Sequence, residues 1–227
     1  MSLALADAGA SPDSGWNASI AEWLAGIFAA PPTAETVTNY REAMGATLFE
    51  VLAEEPGCAA SARRMQSALN MEGSAAAVAR RLAAAFTQLF DGVGGSKTVS
   101  PYESAHIGAS GRLFQAPSGD MEKLLRQSDV STVEAFREPS DHLSIELSLL
   151  AWLIRHDADH QARAALLDDH LLVWVPVFAD RCCQYDRTGF YAGTAQVLTA
   201  FLIAQRAALR IKRATKPRTG VMLCRSD

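Results

Sequence analysis

The stretch from Glu138 to Ile154, EPSDHLSIELSLLAWLI, constrains the fold of this chain more than any other. Pro139 fixes its own φ and pushes Glu138 out of the helical region, so a linker must end there. Ser140 or Asp141 is then the expected N-cap, its side-chain oxygen taking a free N–H of the first turn. Leu143, Ile145, Leu147, Leu149, Leu150, Trp152, Leu153 and Ile154 follow, apolar on nearly every side. From Asp141 to Ile154 the run is shorter than the roughly 20 residues a membrane span needs, which predicts a buried core helix. Asp141, His142 and Glu146 sit in its first turns, with His142 and Glu146 four apart and hence on one face. Ionisable groups at the mouth of so apolar a helix suit a grip on a ligand. A helix cap with a local His–Glu hydrogen bond is the plainer structural alternative.

Other helices are predicted on both sides of this one. Residues 1–15 read as disordered. A helix over Ser19–Ala29 stops at Pro31-Pro32, and Thr33 caps a second that runs to about Glu55, with Val37, Tyr40, Met44, Leu48 and Val51/Leu52 inward. Pro56-Gly57 ends it. Amphipathic segments follow at Ala59–Asn70 and Ser74–Phe90, the latter with Val78, Leu82, Phe86 and Leu89/Phe90 on one face. Residues 91–111 are rich in Gly and Ser, and a short helix at Ser118–Gln127 precedes a linker to Pro139. Asp157–Asp180 and Gly189–Lys212 complete a set of about eight helices. Alanine is abundant, no alternating strand pattern or fixed-period repeat is present, and the fold class is all-α, bundle-like.

Charge narrows the partners. The net charge of −4 hides a basic tail: from Arg206 onward there are seven Lys/Arg and one acid, so the preceding residues carry 14 basic and 24 acidic groups. Such a body is a poor match for nucleic acid and attracts a basic peptide. The tail itself reads as a solvated, frayed end. Neither a basic n-region nor an apolar run of membrane length is seen, which argues against a signal peptide or a span. Four cysteines (Cys58, Cys182, Cys183, Cys224) lack framework spacing, so reduced thiols and a cytoplasmic address are expected.

Several motif-like stretches do not survive inspection. Gly92–Thr98 (GVGGSKT) has the flavour of a phosphate loop, but Ser96 separates Gly95 from Lys97 and a helix precedes it, so it reads as a surface loop. His156-Asp157-Ala158-Asp159-His160 places two histidines four apart, as a metal site or helical phosphohydrolase would. Further ligands are not evident, and polar residues between two helices are the simpler account. Cys182-Cys183 reads as a half-buried structural pair, and Trp23, Trp152 and Trp174 as core.

The trio after Pro139 gains weight from resemblance. Glu138-Pro139-Ser140-Asp141-His142-Leu143 resembles the EPxDH signature of the TorD/DmsD family of cytoplasmic chaperones for molybdoenzymes. Leu89-Phe90-Asp91-Gly92 and Pro101-Tyr102-Glu103-Ser104-Ala105 resemble two segments with which that family closes its first helical half. Leu172–Phe178 (LVWVPVF), Arg181–Asp186 (RCCQYD) and Gly189–Ala192 (GFYA) are similar to the TorD branch, whose client is trimethylamine N-oxide reductase. These blocks cover residues 85–205.

The resemblance implies two helical parts joined by a hinge: 16–126, a linker at 127–139, and 140–213, with a basic tail at 214–227. It implies a binding protein rather than an enzyme, which holds the twin-arginine leader of a periplasmic molybdoenzyme and the apoenzyme until molybdopterin is inserted. A twin-arginine leader is a basic stretch followed by an apolar one, so its receptor needs carboxylates beside a greasy groove. Asp141 and Glu138 are therefore expected to meet the arginines, with Glu146 close by, and His142 to orient the acids or bond the peptide backbone. Phe90, Pro101, Tyr102 and His106 match the family's proposed pocket and would line its apolar side. The resemblance also implies a monomer or a dimer that exchanges helical halves, and weak guanine-nucleotide binding, for which the sequence offers no phosphate loop. No resident cofactor is expected. Two other classes stay open on the residues alone: a metal-dependent phosphohydrolase using His156 and His160, and an all-α regulator or scaffold.

Overall fold

In the computed structural model, residues 12–107, 116–131, 137–156 and 160–215 are described. They form an all-α fold, with no strand among them beyond an isolated antiparallel bridge between Tyr102 and His142. Helix α1 (Pro12–Ala29) stops before Pro31-Pro32. It begins well ahead of the predicted Ser19, so residues 12–15, expected to be disordered, are helical; residues 1–11 lie outside the described residues. Thr33 caps α2 (Ala34–Arg41) as expected, its hydroxyl accepting the Thr36 N–H at 3.1 Å.

The single helix predicted from Thr33 to Glu55 is two. Glu42 is extended (φ −83°, ψ 174°) between α2 and α3 (Ala43–Glu54). A Cβ at Gly45 would run into the backbone of Tyr40, so this corner closes only over a glycine. Val37 and Leu52 face inward, Phe49 does so unpredicted, and the Met44 side chain lies outside the described residues. Helices α4 (Ala59–Leu69) and α5 (Ala75–Phe90) fall where periodicity places them, α5 with Ser74 as N-cap. After α5 come two short 3₁₀ turns, Gly95–Lys97 and Glu103–Ala105, then α6 (Ala116–Gln127).

The central helix is α7 (Leu143–Arg155), two residues later than expected. Leu147, Leu150 and Leu153 on it are at most 1% exposed, and truncating any one to alanine costs roughly 2–5 kcal/mol. The segment predicted as one helix over 157–180 is α8 (His160–Ala165), a wider π-helical turn (Leu166–Leu171) and α9 (Leu172–Tyr185). Pro176 lies inside α9, where it has no N–H for the carbonyl of Leu172, and the wide turn lies just upstream. Asp186 receives the Thr188 and Ala192 N–H groups at 2.8 and 2.9 Å and so starts α10 (Phe190–Thr215).

Helix α1 lies along α7, and α4 along α10. Segments on both sides of residues 127–139 therefore feed one hydrophobic core, from Ala18 to Leu209. Its centre is aromatic: Phe28, Phe90 and Phe178 meet with ring centroids 5.4–5.9 Å apart, and Phe86 and Tyr191 extend the cluster. No helix among the described residues is long and apolar enough to cross a membrane.

Candidate functional site

The segment that follows α5 is sewn onto the approach to α7. Leu143 N–H donates to Pro101 O at 2.8 Å, and Glu103 N–H to Asp141 O at 3.0 Å. The Asp141 side chain adds a third tie, Oδ2 accepting the Ser104 N–H at 3.0 Å. Asp141 and Ser104 are both completely buried. Neither expected N-cap, Ser140 or Asp141, thus caps the helix; Asp141 instead holds a turn 37 residues upstream.

His142 takes the cap instead. Its Nδ1 accepts the Ser144 N–H at 3.1 Å, with extended backbone at φ −75° and ψ 134°. An accepting Nδ1 requires a neutral ring. Burial lowers the His142 pKa to about 4, against the opposing pull of Glu138 and Asp141.

Glu138 is exposed, and its Oε2 accepts the Tyr102 hydroxyl at 2.5 Å. The Tyr102 ring stands edge-on to His142, centroids 4.9 Å apart. Burial and then the Glu138 carboxylate raise the Tyr102 pKa, which keeps the hydroxyl a donor. Pro101 is buried beneath it.

One layer deeper lies a second acid cluster. Glu146 is fully buried, and its Oε2 accepts the Trp174 Nε1–H at 3.2 Å. Burial first and the neighbouring Glu103 second push its carboxyl well above the usual carboxylate range. Glu103, 2% exposed, pairs through Oε2 with His170 Nδ1 at 2.8 Å. Burial alone would lower His170, but Glu103, Asp120 and Asp169 together raise it. His106 stacks on Trp174 (5.1 Å, 24°), its Nε2–H donating to Ser100 O at 2.7 Å, and burial lowers its pKa.

The structure therefore brings Glu138, Asp141, His142, Pro101 and Tyr102 together. Glu146 and His106 join them through Trp174 and Glu103. Phe90 is set apart, 6% exposed in the aromatic core rather than lining an open pocket. Of the carboxylates assigned to the arginines, Glu138 alone stands at the surface; Asp141 is reached only if the 101–105 segment moves. Glu103 and His170 were not singled out by sequence reasoning. The one available signal was the polar Asp168-Asp169-His170 inside the apolar run from Leu166 to Val175.

The histidine pair weighed as a metal site looks different. His156 donates from Nδ1 to Trp152 O at 2.8 Å and stacks on the Trp152 ring at 4.5 Å. Residues 157–159 lie outside the described residues. Among the described residues, no three His, Cys, Asp or Glu side chains gather in a way that could hold a metal ion.

Comparison with known proteins places these features in a family. The nitrate reductase delta subunit family matches residues 53–180. The chain is 31% identical over 189 residues to a protein of Photobacterium profundum named Chaperone protein TorD, covering 79% of this chain and 87% of the relative. A Vibrio cholerae protein of the same name is 31% identical over 190 residues, covering 79% and 86%. Its Aliivibrio fischeri namesake is 30% identical over 190 residues, covering 79% and 88%.

Proposed function

The chain belongs to the nitrate reductase delta subunit family, among relatives named TorD chaperones, and from that premise we propose that it is a cytoplasmic maturation chaperone for a molybdoenzyme. Relatives named as chaperones are consistent with a non-enzyme. The client is the apo form of trimethylamine N-oxide reductase or a related S/N-oxide reductase. The chaperone holds its twin-arginine leader and delays export until molybdopterin has been inserted.

The observation that carries this reading is the exposed carboxylate of Glu138 at the junction of the 101–105 segment and α7, which accepts from a neutral donor among the described residues, the Tyr102 hydroxyl. A guanidinium displaces that hydroxyl with a charge-assisted and often bidentate bond, roughly twice as strong as a neutral one. Behind it, Asp141 Oδ1 and Ser104 Oγ are buried and meet no hydrogen-bond partner among the described residues. If the linker at 127–139 lets the 101–105 segment lift, those acceptors are exposed to the second arginine. The acidic body outside the tail adds longer-range attraction for a basic leader.

Titration calorimetry with a synthetic twin-arginine leader tests the reading. Wild-type protein is expected to bind, more weakly as salt rises. Glu138→Gln is expected to lose about tenfold in affinity, the equivalent of roughly 1.4 kcal/mol. A leader with both arginines changed to lysine keeps the charge, loses the planar fork, and is expected to bind more weakly. Absence of binding to twin-arginine leaders by the wild-type protein would refute the assignment.

A further inference from the structure

Glu146 lies completely buried on α7, and among the described residues no cation pairs with its carboxyl. Its Oε2 accepts the Trp174 Nε1–H at 3.2 Å, while Oε1 meets no hydrogen-bond partner among the described residues. The neighbouring acid, Glu103, is 2% exposed and already engages His170 Nδ1 through Oε2 at 2.8 Å. Two buried carboxyl groups therefore share one imidazole. An ionised carboxylate without a cation is too costly to bury, and such a group takes up a proton instead. A neutral carboxyl is also a donor, which a carboxylate is not, so the same proton gives Glu146 a bond to offer the acid beside it.

The charges facing this cluster come from every element packed around it. Asp141, at the approach to α7, adds its repulsion to that of Glu103 on Glu146. Asp120 on α6 and Asp169 in the π-helical turn help Glu103 to keep His170 protonated. Burial pushes His142 and His106 toward their neutral forms. Arg181 on α9 acts on His106 and donates from Nη2 to Thr98 O at 2.8 Å. Around Glu146 the Trp174 N–H is the contact that favours the ionised form, and burial outweighs it.

We infer that Glu146 is a neutral acid whose O–H donates to Glu103, and that Trp174, Glu146, Glu103 and His170 form a proton-bound latch holding the 101–105 segment against α7. Glu103 is the member on the segment. Its own N–H bonds Asp141 O, and the N–H of the next residue bonds Asp141 Oδ2. Loss of the Glu146 proton to solvent sets two negative charges side by side out of water, and lifting the segment relieves the repulsion. Glu146 is thus a positioning residue: through Glu103 it determines whether Asp141 and Ser104 stay covered. Resting on the function proposed above, the latch sets how readily a leader reaches Asp141, and access grows as pH rises.

A carboxyl that the fold keeps neutral contributes stability that is full below its ordinary value of 4.5 and is lost as pH rises through its folded value. Glu146→Gln retains an acceptor for Trp174 and a donor for Glu103, with no proton to lose. From urea midpoints, the unfolding constant of wild type is expected to rise relative to Glu146→Gln by at least about tenfold between pH 5 and pH 8. The titrations of His142 and His170 are common to both proteins and cancel. Over the same range, hydrogen-exchange protection of the Glu103 and Ser104 amides should fall at least about tenfold further in wild type than in the variant. Infrared spectra of wild type carrying carbon-13 in its glutamate carboxyls should show the carbonyl stretch of a protonated acid at pH 7, a measurement that does not depend on the variant folding. Absence of that band, or parallel stability curves, overturns the neutral acid. A band without the difference in amide exchange overturns the latch. Failure of wild type to bind any twin-arginine leader overturns the proposed function alone, since the band, the stability curves and the exchange are read without a leader.

Discussion

Replacing Asp141 with alanine should loosen the protein before it touches ligand binding. In the structure Oδ2 accepts the N–H of Ser104, and neither residue has any exposed surface. Alanine would leave that N–H buried without an acceptor, a loss of about 1–3 kcal/mol. In a domain of this size each kcal/mol moves Tm by roughly 2–4 °C, so a mid-range loss of about 2 kcal/mol lowers Tm by about 4–8 °C. Asp141→Asn keeps an amide oxygen where Oδ2 was, so its Tm should fall by no more than about half as much. The assay is thermal unfolding by circular dichroism, run beside a urea titration to verify that m is unchanged. Limited proteolysis of Asp141→Ala should cut first between 100 and 108, the segment the carboxyl holds down. An alanine variant as stable as wild type would refute the argument that Asp141 is a tie between segments. It would return Asp141 to the role of a freely available arginine acceptor.

The remaining expectations are narrower. His142 caps α7 as a neutral ring with its pKa lowered to about 4. The unfolded chain protonates near pH 6.5, so the stabilising contribution is full above that pH and is lost as pH falls toward 4, up to about 3 kcal/mol. A His142→Asn variant should show a flatter pH–stability curve across that window, read from urea midpoints; an unchanged slope would sink the assignment. At Gly193 a Cβ would lie 2.7 Å from Met65 Cγ and 2.8 Å from Ser61 O, where α10 crosses α4. Gly193→Ala should therefore cost about 1–3 kcal/mol by overpacking, visible as a lowered urea midpoint.

Much of the architecture could be read without coordinates. The apolar run after Pro139 determined a buried central helix, and Thr33 and Ser74 determined two helix starts, because periodicity and capping are local properties of the chain. Proline pairs and Pro-Gly stops were equally legible. The break at Glu42 was not, since it depends on Gly45 passing close to the Tyr40 backbone, a contact that spacing does not encode. The π-helical turn also escaped, although Pro176 marked its neighbourhood.

At the candidate site the division is sharper. Residue types and order picked out Glu138, Asp141, His142, Tyr102 and Pro101, and the structure gathers all five at one junction. What each does was decided by tertiary contact. Asp141 faces the Ser104 amide because the 101–105 segment lies against it, and His142 caps α7 because Asp141 is occupied elsewhere. Glu103 and His170 stand 67 residues apart in sequence and pair only because the π-helical turn packs onto that segment. Local signals determine which residues sit at a helix mouth. Burial and the partner of each carboxylate depend on which distant segment covers it, and those are settled only when the chain folds.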